Sequence, residues 1–290
     1  MSKINTAVIP IAGLGTRFLP ITKVVSKEML SILNRPLIDY AVQEALSAGI
    51  KKFIFITNGR NKSVLKYYGE DLLLEKYLKR NKKTEIFKSI KKITMSKSKI
   101  KIIVQKKPEG LGNAILKSEK YLRGEDFCVI LPDDLIKENN CTKELISVYN
   151  KKNACVLGLM KVSKEEVDKY GIIEPSLISG RNIKIKKLIE KPNKNIAPSN
   201  LAIVGRYILK NKIFKYLKLT NKGSGGEYQL TDAISLYNKD LETWGYRFRG
   251  KRYDCGSKFG FFHAQLDAAL VDKDIKVKVK KLLKNKGEIK

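Results

Sequence analysis

Apolar and polar positions along this chain change period several times, and each change marks an element. Ala7-Val8-Ile9-Pro10-Ile11 is an unbroken apolar run of strand length, which predicts a buried first strand over Thr6 to Ile11. Between Pro36 and Ala48 the apolar residues fall at 37, 38, 41, 42, 45 and 46, one stripe of a helix with proline near its first position and Gly49 as its stop. Lys52 to Thr57 returns to a continuous run, a second strand. Strand, helix and strand with short joints predict an α/β fold with parallel strands and right-handed crossovers, whose ligands gather beyond the carboxyl ends of the strands.

The pattern then turns helical and strongly basic from Asn61 to Ser98, with about a dozen Lys or Arg between Lys79 and Lys107 against Glu85 alone. A solvated helical insertion over about 61–99 is expected, with a subunit contact or an anionic-surface patch as the alternative. Further strands are predicted over Lys101 to Gln105, Phe127 to Leu131, Ala154 to Val162, Ile183 to Ile189 and within Ala197 to Tyr207. A helix runs through Leu122, and a short acidic one precedes Tyr170. Everything after about Asp272 reads as a lysine-rich helix, so the organisation is one domain over 1–272 and an accessory helix or tail over 273–290.

Chemistry concentrates at the strand ends. Ala12-Gly13-Leu14-Gly15-Thr16-Arg17 follows the first strand, and the two glycines let backbone N–H groups approach an anion while Arg17 adds a charged fork. The dinucleotide fingerprint would need glycine where Phe18 stands, and the Walker A pattern is not matched. Lys27 and Glu28 bring a second cation and a carboxylate into the same loop. A second glycine turn, Gly110-Leu111-Gly112-Asn113, follows the strand ending at Gln105. The apolar strand at 127–131 runs into Pro132-Asp133-Asp134, where a carboxylate is well placed to hold magnesium shared with phosphates. Adjacent side chains on extended backbone point apart, so one of the two acids meets the metal. Gly171 either admits a sugar ring or simply turns the chain, and Glu190-Lys191-Pro192 brings an acceptor and a cation to another strand end. Glu227, ahead of Gln229-Leu230-Thr231-Asp232, is either a helix-start acid or a sugar contact. Asp254 in Tyr253-Asp254-Cys255-Gly256 is a second carboxylate, expected beside Asp133.

Composition narrows this picture. The 290 residues, 43% of them hydrophobic, suffice for a packed core. The formal net charge of +30 would suggest a polyanion partner if it formed a patch, but the excess is spread through nearly every segment without a nucleic-acid-binding motif, so nucleic acid is disfavoured. Cys128, Cys141, Cys155 and Cys255 lack metal or disulfide spacing, and Cys128 and Cys155, inside apolar runs, read as buried free thiols, which points to the cytoplasm. His263, the sole histidine, lies among Phe261, Phe262 and Ala264 and reads as a core or boundary residue. Lys3 and the run after it faintly imitate a secretion signal, but Pro10 and the paired glycines interrupt it. No apolar stretch approaches the roughly 18 residues of a membrane span.

Ala12 to Pro20, Lys27 to Leu30 and Pro36-Leu37-Ile38 together resemble the sugar nucleotidyltransferases, most closely the bacterial UTP-glucose-1-phosphate uridylyltransferase family, and the resemblance recurs to about residue 265. It implies a Rossmann-like, mixed but mostly parallel central sheet flanked by helices, the nucleotide-diphospho-sugar transferase fold. It implies UTP and glucose 1-phosphate as substrates, Mg2+ as cofactor and a homodimer or homotetramer. Ala12, Gly13, Gly15, Thr16, Glu28, Gln105 and Gly110 would bind the nucleotide, with Gln105 and Gly110 at the base edge. Arg17, Lys27 and Lys191 would be catalytic. Gly171, Glu190, Lys191 and Glu227 would bind the sugar phosphate, and Asp133 with Asp254 the metal, Asp134 orienting its neighbour. The family's usual histidine is replaced by Asn113, a change of little expected consequence if the glycines shape the pocket. The same parts would serve a dTTP- or GTP-dependent relative, and the non-catalytic alternative is a nucleotide-binding regulator.

Overall fold

In the computed structural model, which describes residues 4–59 and 62–285, β1 (Thr6–Ile11) leads through three short 3-10 turns and a small hairpin of β2 (Ser31–Ile32) and β3 (Arg35–Pro36) into α1 (Leu37–Ser47) and β4 (Lys52–Thr57). The bounds of β1 and β4 coincide with the expected ones, because nearly every side chain in both runs is buried and strands covered on both faces read as continuous apolar sequence. Alternate residues serve different layers. Ile9, Phe53 and Phe55 pack under α1 and α7 (Cys141–Lys152), while Val8, Ile54 and Ile56 face α5 (Leu111–Leu116), α8 (Ile213–Leu219) and α9 (Leu230–Asp240).

The remaining strands are β5 (Ile100–Val104), β6 (Phe127–Ile130), β7 (Asp134–Lys137), β8 (Cys155–Lys161), β9 (Gly171–Ser179), β10 (Asn182–Glu190), β11 (Leu201–Leu209), β12 (Thr243–Arg247) and β13 (Lys251–Asp254). Nine strands form one mixed sheet in the order β5-β4-β1-β6-β11-β8-β12-β10-β9, with helices on both faces, as expected for this α/β class. Half of the neighbouring pairs are antiparallel where a mostly parallel sheet was expected, because β11 and β10 each run against both neighbours. Pairing is parallel from β5 through β6 and between β8 and β12. It is antiparallel on both sides of β11 and across β12, β10 and β9. A satellite layer pairs β7 with β13 and packs Leu135, Tyr253 and Cys255 against α10 (Lys258–Val271).

The basic segment forms α2 (Ser63–Tyr68), α3 (Leu72–Arg80) and α4 (Thr84–Ile93) beside the β5 edge of the sheet; Asn61, where it was expected to begin, lies outside the described residues. Tyr68 anchors it, fully buried and stacked on Phe55 at 6.1 Å, whereas α4 buries no residue. The helix expected before Leu122 is broken into α5 and α6 (Glu119–Leu122). The lysine-rich end forms α11 (Lys276–Asn285), with no buried residue; the rest of the 273–290 tail, from 286, lies outside the described residues, as does Lys3. Among the described residues no helix is long and apolar enough to cross a membrane. All four cysteines are buried and free, and burial pushes the Cys155 and Cys255 thiols up to about 11 and about 12.

Candidate active site

The loop after β1 is shaped by Gly15, which sits in the left-handed region at φ 66° ahead of the Thr16–Phe18 turn. Its carbonyl accepts a 2.8 Å hydrogen bond from Thr22 Oγ1, and a side chain there would stand 3.1 Å from the Thr22 methyl and 3.2 Å from Lys27 Cβ. Lys27 thus folds back beneath the loop, with its stem 3.8 Å from the side-chain position of Gly13 and its ammonium 2.5 Å from Asp133 Oδ2. Glu28 faces away. It is 3% exposed, Oε2 has no hydrogen-bond partner, and burial pushes its carboxyl up to about 7. Glu28, of which a nucleotide contact was expected, borders neither of the two cavities described below.

β6 delivers the carboxylates by running into a turn in which Asp134 N donates to Leu131 O. Cys255 N donates to Asp133 O at 2.8 Å, and the β7–β13 register sets Asp134 opposite Asp254. One point summarises the result. The place a side chain would take at Gly256 is 3.1 Å from Asp254 Oδ1, 3.2 Å from Asp133 Oδ2 and 3.7 Å from Arg17 Nη1. Burial opposes the charge on Asp133, but Lys27 outweighs it and holds the carboxyl below its usual range. The same pairing keeps Lys27 above its ordinary value against the pull of burial.

Asp134 is spent on structure. Its Oδ2 accepts from Gly205 N at 2.7 Å and its Oδ1 from Arg252 Nε at 2.5 Å, and burial raises its pKa despite that partner. Arg206, 1% exposed, secures the turn from beneath. It donates to Leu131 O at 2.9 Å and Asp134 O at 2.8 Å while paired with Glu44 of α1 at 2.8 Å, and Glu44 also accepts from Thr142 of α7.

A cavity of about 1140 Å³ opens over this turn, lined by Arg17, Asp133 and Asp254 and, further along, by Gly171, Glu190 and Lys191. At Gly171 a side chain would come within 3.1 Å of both Glu190 Oε2 and Thr231 Oγ1, so the glycine leaves their polar atoms open to a ligand. Lys191 is 46% exposed, sits at φ 45° and has Glu190 at 3.7 Å. A smaller cavity of about 640 Å³ is lined by Gly13, Thr16 and Lys66. Lys27 lies between the two, its stem against Gly13 and its ammonium on Asp133. Ala12, 8% exposed, sits at the root of the loop.

Gln105, Gly110 and Glu227 lie outside the linings of the two cavities. Gln105 is buried and its Nε2 donates to Asn113 Oδ1 at 2.9 Å, so Asn113 is a direct partner of the amide rather than a neutral replacement. The second glycine turn packs closely on the chain at Tyr228, while its Leu111 lines the larger cavity. Side chains at Gly110 or Gly112 would each stand 2.7 Å from Tyr228 O, and Glu227 Cβ presses on Gly110. Glu227 precedes α9 by three residues and lines neither cavity; Gln229 and Thr231 reach the larger one instead. His263 is a boundary residue at the rim, 39% exposed with its ring 5.1 Å from that of Tyr253. Sequence reasoning passed over Arg206, Arg252, Tyr170 and Thr231. Arg206 had a signal, a single charge within a strand whose other residues are all apolar or glycine.

Magnesium binds through one or two carboxylates and completes its shell with water and phosphate oxygens. Asp133 and Asp254, sharing the space above Gly256, fit that requirement.

A family model described as nucleotidyl transferase matches residues 6–269. The chain is 41% identical over 277 residues to the UTP--glucose-1-phosphate uridylyltransferase of Bacillus subtilis (strain 168), covering 95% of this chain and 94% of the relative. Among solved structures, a UTP-bound UGPase from Acinetobacter baumannii superposes with a TM-score of 0.88 at 36% identity, covering 97% of this chain and 98% of that one. A UDP-glucose pyrophosphorylase complexed with UDP-glucose gives a TM-score of 0.81 at 41% identity, covering 90% and 97%.

Proposed function

The chain belongs to the nucleotidyl transferase family, and from that premise we propose that it transfers the uridylyl group of UTP to glucose 1-phosphate, giving UDP-glucose and pyrophosphate. The observation that carries this reading is the convergence of Arg17, Asp133, Asp254 and Lys191 on one cavity, with Glu190 and Gly171 beside the last. The attacking oxygen of a sugar 1-phosphate is already anionic, so the reaction needs no activated nucleophile. A bond forms from that oxygen to the α-phosphorus of UTP as the bond from the α-phosphorus to the pyrophosphate oxygen breaks. What the protein must supply is alignment and neutralisation of two mutually repelling anions.

Arg17 and Lys27 act on the triphosphate, whose loop is formed by Ala12, Gly13, Gly15 and Thr16. Lys191 meets the attacking phosphate while Glu190 accepts from the sugar hydroxyls over Gly171. Asp133 and Asp254 would hold Mg2+, which supplies charge neutralisation to the phosphates and the leaving pyrophosphate. Lys27 exchanges its contact with Asp133 for one with phosphate when substrate arrives.

Pyrophosphate release measured with glucose 1-phosphate and each of UTP, dTTP, CTP and GTP tests the reading. Turnover with UTP well above the other three is expected. A preference for dTTP or GTP would move the base assignment, and nucleotide binding with no release in the presence of magnesium would overturn catalysis itself.

A further inference from the structure

We propose that Arg252 is a positioning residue that sets the sugar-phosphate wall of the cavity against the carboxylate turn, working through Asp134 on one side and Tyr170 on the other. The proposal deepens the reading of the cavity as a UTP and glucose 1-phosphate site and rests on it.

Arg252 lies on β13, two residues before Asp254, and its side chain is 11% exposed. One end of the guanidinium is fixed on the turn, since Nε donates to Asp134 Oδ1 at 2.5 Å and the other Asp134 oxygen is held by Gly205 N at 2.7 Å. The other end reaches across the cavity. Nη1 donates to the Tyr170 hydroxyl at 3.0 Å, and the guanidinium lies over the Tyr170 ring at 5.2 Å from its centre. Tyr170 is in turn the residue on which Lys191 hangs, because Lys191 N donates to Tyr170 O at 3.0 Å. Lys191 also adopts φ 45°, a conformation disfavoured for a side-chain-bearing residue, so the neighbouring structure must hold it there. Gly171 follows Tyr170 directly and opens β9.

The chain of contacts therefore runs from the carboxylate turn, through one side chain, to the residue that carries both the sugar-side glycine and the backbone anchor of the sugar-side cation. A guanidinium suits this task because its planar fork bonds two partners in fixed directions while stacking on an aromatic ring, which an ammonium cannot do. An Arg252→Lys variant keeps the charge beside Asp134 and loses the span. A Tyr170→Phe variant keeps the ring and the charge and loses only the hydroxyl.

The experiment measures kcat and the separate KM values for UTP and glucose 1-phosphate in Tyr170→Phe, Arg252→Lys and the double variant, with thermal unfolding as the check on folding. Tyr170→Phe is expected to raise KM for glucose 1-phosphate by about fivefold, the scale of one ordinary hydrogen bond, and to leave KM for UTP nearly unchanged. Arg252→Lys is expected to raise the same KM by about tenfold or more, and the double variant to match Arg252→Lys alone, because both break one link. A Tyr170→Phe variant with wild-type KM values overturns the proposal even if Arg252→Lys is impaired, since Arg252 would then act on substrate or on the fold without Tyr170. Additive effects in the double variant, or equal rises in both KM values, overturn it too. The wild-type enzyme run alongside separates the two levels. If it turns over a different nucleotide and sugar phosphate pair, the substrate reading fails and the same comparison is made with that pair.

Discussion

Lys27, which lies between the two cavities with its ammonium on Asp133, and Lys191, which lines the larger one, are held in different ways. Lys27 is three-quarters buried, folded under a glycine loop, with its charge matched by Asp133 at 2.5 Å. Lys191 is nearly half exposed at a strand end, on a left-handed backbone, with Glu190 no closer than 3.7 Å. At Lys27, then, cation and carboxylate are kept in register by each other. At Lys191 the pairing with Glu190 is looser, and the backbone of the strand end fixes the place of the cation. The first arrangement is partly shielded from solvent, and the second relies on rigidity supplied from elsewhere in the fold.

The sharpest way to break the comparison is at Asp133. Asp133→Asn removes the charge that holds Lys27 and one of the two acids suited to magnesium, so turnover of UTP with glucose 1-phosphate should fall on the order of 10³-fold. Lys27→Met should cost a similar amount and the double variant little more, since the pair acts as a unit. Wild-type magnesium dependence in Asp133→Asn would separate Lys27 from the metal carboxylates. Lys191→Ala should lower turnover by about 10²-fold with an unchanged unfolding curve; a near-wild-type rate would remove Lys191 from the chemistry.

The smallest effect on rate is expected at Glu28, which is buried next to Lys27. Its carboxyl titrates at about 7 when folded against an ordinary 4.5, because burial disfavours the charged form. Between those values the folded protein holds a proton that the unfolded chain releases, so this group makes stability fall as pH rises through that window and level off above it. Glu28→Gln should remove that slope and stabilise the fold at pH 8, by up to about 3 kcal/mol, while turnover stays close to wild type. Denaturant unfolding at pH 5 and pH 8 measures both.

The same two regions mark how far the sequence could be read. β1, α1 and β4 are local patterns, and their limits follow from apolar runs and a proline entry. Loop residues 12 to 17 were legible because glycines and a cation directly follow a strand. The placing of Asp254 beside Asp133 was expected, but the pairing of β7 with β13 that achieves it joins segments more than a hundred residues apart and leaves no local trace. Arg252 was missed for the same reason, as its partners Asp134 and Tyr170 come from two other elements. Spacing from a helix start does not say which way the extended segment at Glu227 turns. Gly110 and Gly112 accommodate residues 227–229, a close approach between chain segments that a glycine pair in sequence does not distinguish from ligand space.

Arg206 has a bearing on what sets the acidic turn. Its guanidinium joins strand β11 to Glu44, 162 positions earlier, and to both ends of the turn that carries Asp133. The acidic turn that carries Asp133 is thus tied down by a residue encoded some seventy positions later, so its setting depends on the last third of the chain as much as on the strand that leads into it.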